Sequence, residues 1–289
     1  MYELNQVGAH TYYIDCPAKI GVWEAGDGVL IIDSGSDKDA GRKVKKILDE
    51  RGWRLKAILN THSHADHIGG NRYLQQQTGC AVFAPGVEAD FTRHPVLEPS
   101  FLYGGCPPAE LRHKFLMAQE SDVSAAVLPP EIEMIPLPGH AFDMAGFRTP
   151  DDVVFLADCL SSAATLEKYG IPYLYDVGAA LSTLEMVEGM KARLFVPAHA
   201  DAAADVSQLA RLNRAKLLDA ADVIAGICQT PTAFEEILKA VFDRYGLSMR
   251  FEQYVLVGST VRSFLSWMKG EGRLAVSFAE NRMLWQAGN

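Results

Sequence analysis

The stretch Leu59-Asn60-Thr61-His62-Ser63-His64-Ala65-Asp66-His67-Ile68-Gly69-Gly70 constrains this chain more than any other. Three imidazoles and a carboxylate fall within six residues, directly behind a short apolar run, Ala57 to Leu59, that reads as a buried strand. In an extended chain, positions i and i+2 project to the same side, so His62 and His64 can converge on one ion. Asp66 and His67 stand where a helix should begin and can face a second ion, while Gly69-Gly70 lets the backbone pack closely. Side chains this crowded repel one another unless something cationic sits among them. Neutral imidazole with carboxylate suits a borderline divalent metal, zinc first, with iron or manganese as alternatives.

The rest of the chain has a matching rhythm. Val7–Asp15, Ile20–Glu24 and Val29–Asp33 read as strands with a hairpin turn at Gly26-Asp27-Gly28, and Asp37–Glu50 as an amphipathic helix. Further strands are expected at 81–84, 133–137, 153–157 and 194–196, with a helix over 179–190. Between residues 85 and 130 prolines and glycines break the pattern, and a helix over 109–119 is expected inside this insertion, which can serve as a lid over a site. Three later residues leave strand ends as the motif does: His140 after Leu137-Pro138-Gly139, Asp158 after Val154-Phe155-Leu156-Ala157, and His199 after Phe195-Val196-Pro197-Ala198. A carboxylate at the tip of a buried strand is costly unless paired.

The motif followed by His140, Asp158 and His199 on alternating strand and helix units resembles the metallo-beta-lactamase superfamily over residues 1–204. That resemblance implies an α/β fold, a four-layer αββα sandwich, with a binuclear metal centre at its open edge. On that reading His62, His64 and His140 bind the first ion. Asp66, His67 and His199 bind the second, and Asp158 bridges the two. Asp33, ending Ile31-Ile32-Asp33, corresponds to an acid that supports the site from beneath. The implied chemistry is hydrolysis by a hydroxide shared between two divalent ions, with Asp66 orienting it or shuttling a proton.

Other branches fit less well. Flavodiiron oxygen reductases carry an acid where this chain has His64. Glyoxalase II carries Gly-Cys-Gly-Arg soon after the bridging acid, whereas this chain reads Cys159-Leu160-Ser161-Ser162-Ala163-Ala164, which puts its glutathione site in doubt. The expected substrate is therefore a small ester, thioester, lactone or phosphoester. Residues 205–289 form a second unit, with helices over 206–227, 232–245 and 251–269 and a closing hairpin, in a winged-helix-like order. A nuclease, or a nucleic-acid or partner-binding protein, is the alternative this segment raises, as is a homodimer formed through it. With 27 basic and 36 acidic residues the chain carries a net charge of −9, and residues 203–289 alone only +1, which argues against general attraction to nucleic acid or anionic membrane. Five scattered cysteines without a CxxC pair point to free thiols. The lack of a long apolar stretch, or of a basic start followed by an apolar run, predicts a cytoplasmic protein. His10 is expected to be structural, and His94 and His113 to flank the insertion, with substrate contact as the second option.

Overall fold

A computed structural model describes residues 2–123 and 128–288. The chain opens with β1 (Glu3–Gln6), β2 (Thr11–Asp15), β3 (Ile20–Glu24), β4 (Val29–Ile32), α1 (Lys38–Glu50), β5 (Leu55–Leu59), α2 (Ala65–Ile68), α3 (Asn71–Thr78) and β6 (Ala81–Phe83). The insertion holds α4 (Glu88–Arg93) and α5 (Leu97–Tyr103), after which come β7 (Glu133–Pro136), β8 (Ala145–Arg148), β9 (Val153–Ser161), α6 (Ala163–Tyr169), α7 (Val177–Gly189) and β10 (Leu194–His199). The C-terminal part consists of α8 (Ser207–Ile227), β11 (Thr232–Ala233), α9 (Phe234–Tyr245), α10 (Phe251–Gly270), β12 (Leu274–Ala279) and β13 (Arg282–Ala287).

Six strands form one sheet in the order β1-β2-β3-β4-β5-β6, and four form another in the order β10-β9-β8-β7. Strand parity sorts their side chains. Leu30 and Ile32 of β4 face inward and meet Phe147 of β8, Phe155 of β9 and Val196 of β10 between the sheets. Val29 and Ile31 face outward onto Val44 and Leu48 of α1 and Leu74 of α3. The second sheet turns Val154, Leu156 and Phe195 towards Leu184 and Val187 of α7, Leu217 of α8 and Phe264 of α10. Helix, sheet, sheet and helix are thus stacked in four layers, as expected. Strands covered on both faces read as unbroken apolar runs, which explains the fully buried Val29–Ile32.

The parallel pairs β4–β5 and β9–β10 decide where the chemistry sits. Their C-terminal ends point to one edge, the usual place for ligands in open α/β sheets. Asp33 follows β4, Thr61 to His67 follow β5, and Asp158 and His199 lie in the last parts of β9 and β10.

Two elements differ from expectation. Instead of a helix over 109–119 there is one 3-10 turn, Ala109–Leu111. Leu111 and Leu116 both bury against Val255 of α10, and residues five apart do not share one helical face, so the chain must unwind to seat both. The strand expected from Val7 to Asp15 begins only at Thr11, because Val7 and Gly8 turn back on Thr11. The closing hairpin is present as β12 and β13, and β11 adds a third strand to it. Residues 124–127 of the insertion lie outside the described residues. Among the described residues no helix is long and apolar enough to cross a membrane.

Candidate metal centre

At the shared edge seven side chains fall into two groups. His62, His64 and His140 present ring nitrogens within 4.8 Å of one another, and Asp66, His67, Asp158 and His199 do the same with nitrogens and carboxylate oxygens. All seven were named from the sequence.

The first group is assembled from distant segments. His64 Nδ1 lies 3.0 Å from His62 Nε2 and 3.0 Å from His140 Nε2. The opposite nitrogen of two of these rings is already engaged. Asp33 Oδ2 takes the hydroxyl proton of Thr61 at 2.8 Å, so Thr61 Oγ1 is left to accept from His62 Nδ1 at 3.0 Å. His140 Nδ1 donates to the Tyr173 carbonyl at 3.2 Å. His62 and His140 therefore both turn unprotonated Nε2 atoms inward.

In the second group His67 Nδ1 donates to Asp33 Oδ2 at 2.8 Å, and His199 Nδ1 to the Pro17 carbonyl at 2.9 Å. Their Nε2 atoms face the carboxylates. Asp158 Oδ1 is 3.1 Å from His67 Nε2, and its Oδ2 is 3.3 Å from His199 Nε2 and 3.5 Å from His140 Nε2, so one carboxylate touches both groups. Asp66 Oδ2 stands 3.3 Å from His199 Nε2. Among the described residues the buried His67 Nε2 and Asp158 Oδ1 have no hydrogen-bond partner of good geometry.

Two such orphaned atoms, and two lone-pair nitrogens crowded around a third, are what a cation would satisfy. The residues present fit divalent metal ions: imidazole nitrogens with carboxylates, four of the five histidines oriented from behind.

The backbone is bent to make this possible. Asp33 and Ala157 have φ of 64° and 49°, left-handed values that cost a non-glycine residue about 1–3 kcal/mol. Ala157 lies where the β9–β10 register slips by one residue, a bulge that re-aims the next side chain, Asp158. A Cβ on Gly69 would stand 2.2 Å from the Ser36 carbonyl carbon, and one on Gly70 2.3 Å from the Ser34 oxygen, so the close packing expected of this pair is real.

Charge divides the groups. Burial drives His62 well below the usual imidazole range and takes His64 and His140 down to about 4, so all three are neutral at pH 7. For His67 burial acts in the same direction, but Asp158, Asp66 and Asp33 outweigh it and lift it well above that range. His199 is raised to about 10, chiefly by Asp158. Burial opposes ionisation of Asp158 and Asp66, yet His199 and His67 hold Asp158 well below the carboxylate range and Asp66 at about 2.

Sequence reasoning missed two carboxylates of the insertion. Glu88 Oε2 accepts from both the backbone N–H and the hydroxyl of Ser63, at 2.9 and 2.6 Å, and its Oε1 accepts from the N–H of Asp143. Glu98, buried and raised to about 8 by burial, places Oε1 3.6 Å from His64 Nε2. Neither lies in a motif, and only their occurrence on short helices next to the proline-rich break hinted at them. His113 pairs instead with Glu252 of α10 at 3.1 Å, and the exposed His10 with Glu24 at 3.0 Å.

The family model of the metallo-beta-lactamase superfamily matches residues 14–199. A curated relative, a hydroxyacylglutathione hydrolase of Methylococcus capsulatus, is 34% identical over 118 residues, which is 40% of this chain and 38% of that protein. The chain thus spans well under half the length of this relative. Among solved structures, a metallo-beta-lactamase family protein from Thermus thermophilus superposes with a TM-score of 0.72 at 17% identity, over 96% of this chain and 98% of that one. A beta-lactamase domain protein from Burkholderia ambifaria gives 0.70 at 15% identity, over 99% and 94%. At these identities the likeness is one of fold, and it extends through the C-terminal helices.

Proposed function

Because the chain belongs to the metallo-beta-lactamase superfamily, we propose that it is a metal-dependent hydrolase of a small ester, thioester, lactone or phosphoester. The observation that carries this reading is the pair of adjoining ligand groups with Asp158 between them. On this reading His62, His64 and His140 would hold one divalent ion and Asp66, His67 and His199 a second, with Asp158 a ligand available to both. We take residues 1–204 as the catalytic unit and 205–289 as a helical unit packed on it. Zinc suits the donor set best. The name of the curated relative favours a thioester within the substrate set.

When bound, such ions act as Lewis acids and make water a nucleophile at neutral pH. The protein's own residues do the rest. Asp33 holds His67 and, through Thr61, His62 in one tautomer. Asp66, 45% exposed where His67 is fully buried, lies at the solvent side and can pass a proton between the centre and water. Glu88 holds the turn around Ser63 in place, and Tyr173 packs against the rings of His64 and His140.

The test is metal content together with turnover of an ester, thioester, lactone and phosphoester panel. Near two ions per chain and cleavage of at least one class are expected, with both falling in His62→Ala and Asp158→Ala. Full activity in either variant would overturn the assigned centre.

A further inference from the structure

A cavity of about 260 Å³ runs from the metal centre into the C-terminal helices. His140, Asp158 and His199 line one side, and Leu184 of α7, Leu217 of α8 and Val257 of α10 are part of its apolar wall. The helices after residue 205 therefore complete a space that the sandwich alone would leave open.

Three observations define what fits there. Among the described residues the lining contains no lysine, arginine or glutamate, and its one carboxylate is Asp158. Several of its polar groups are already engaged: Asn213 bonds both backbone groups of Ser161, Thr183 the Pro138 carbonyl and Thr260 the Leu256 carbonyl. An occupant thus finds no charge partner for a carboxylate, phosphate or ammonium beyond the centre itself, and meets mainly apolar surface. The volume exceeds the ~150 Å³ that accommodates benzene and falls just short of the roughly 300 Å³ at which pockets for drug-sized ligands begin. It suits one alkyl chain or ring.

We propose that this cavity binds the acyl group of the substrate, so that the protein hydrolyses esters or thioesters of neutral, apolar carboxylic acids of medium length. This rests on the hydrolase reading above. The direction follows from access. Leu217 and Val257 are buried at the cavity wall, whereas Asp66, which is not part of the lining, is 45% exposed, so the leaving group departs on the side of Asp66. One water is consumed: its oxygen bonds to the carbonyl carbon, and the bond from that carbon to sulfur or oxygen breaks. One proton of the water goes to the leaving atom, and the other is released with the carboxylate product.

The experiment uses the metal-loaded full chain with p-nitrophenyl esters from acetyl to decanoyl, acetate esters of alcohols of increasing length, and calorimetric binding of octanoate and acetate. Expected are a kcat/KM at least about tenfold higher for octanoyl than for acetyl, octanoate binding tighter than acetate, and a fall in the octanoyl-to-acetyl ratio of at least about tenfold in Val257→Phe and Leu184→Phe. A flat acyl series, or a preference that follows alcohol length, overturns the proposal while leaving the hydrolase reading intact. Tighter octanoate binding without any turnover supports the cavity's occupant and ends the hydrolase reading. Equal binding of octanoate and acetate overturns the proposal even if neither variant folds.

Discussion

His62, His64 and His140 on one side, and Asp66, His67, Asp158 and His199 on the other, lie at the same sheet edge and share Asp158 as a neighbour, yet they carry opposite electrostatic settings. The first group is the more enclosed and is uncharged: with no acid in the trio, desolvation strips its protons down to about pH 4 for His64 and His140. The second is half open and ionic, because two carboxylates keep His67 and His199 charged in the absence of a cation. A metal ion entering the first group replaces nothing, whereas one entering the second must displace protons. Backbone position creates this difference, since His62 and His64 lie in the extended chain after β5 whereas Asp66 and His67 lie in the short helix that follows.

The comparison can be broken most severely at the residue both groups touch. Asp158→Ala is expected to lower turnover by about a thousandfold and metal content from near two ions to below one, measured by elemental analysis beside steady-state rates; unchanged content would separate the groups entirely. Chelation should destabilise the fold. At a free metal concentration a thousandfold above Kd each bound ion contributes about 4 kcal/mol, so the melting temperature should fall by roughly 8–16 °C for each ion removed.

A finer change is Asp33→Asn, which removes the carboxylate behind His67 and should weaken metal affinity about 10–100-fold. Competition titration with a chromophoric chelator reads this, and a loss confined to one of two ions would assign Asp33 to the second group. The smallest effect is in protons. Zinc titrated into stripped protein at pH 7, in two buffers of different ionisation enthalpy, should release protons from the second group. His199→Asn should reduce that release, whereas His140→Asn should leave it unchanged, because His140 is already neutral there.

The same shifts set a pH profile for the stripped fold. His64 and His140, lowered from 6.5 to about 4, cost stability as pH falls from 6.5 towards 4. His199, raised to about 10, adds stability that is complete below pH 6.5 and is lost as pH rises through 10. Thermal melts of metal-free protein should peak near pH 6.5, and a monotonic profile would contradict the division.

Much of this was legible in the chain. The His62–His67 cluster pointed to a candidate metal centre because ligand chemistry is local, a residue type, a spacing and a preceding apolar run, whereas His140, Asp158 and His199 joined it only through the family resemblance. Asp33 was legible for the same reason, and the structure places its Oδ2 2.8 Å from His67 Nδ1. Glu88 and Glu98 were not, because a carboxylate becomes a partner of Ser63 or His64 only when α4 and α5 fold back over the edge. Helix 109–119 failed where tertiary seating of Leu111 and Leu116 overrode local propensity.

The sequence by itself determined which atoms could bind a cation and which runs would become two-sided strands, since both depend on side-chain chemistry and short-range period. Only the tertiary structure decided that the seven candidate ligands form a neutral and an ionic group, that a bulge at Ala157 aims Asp158 between them, and that α8 and α10 close an apolar cavity behind them. Burial, field and enclosed volume are properties of surfaces brought together from distant parts of the chain, and no local pattern encodes them.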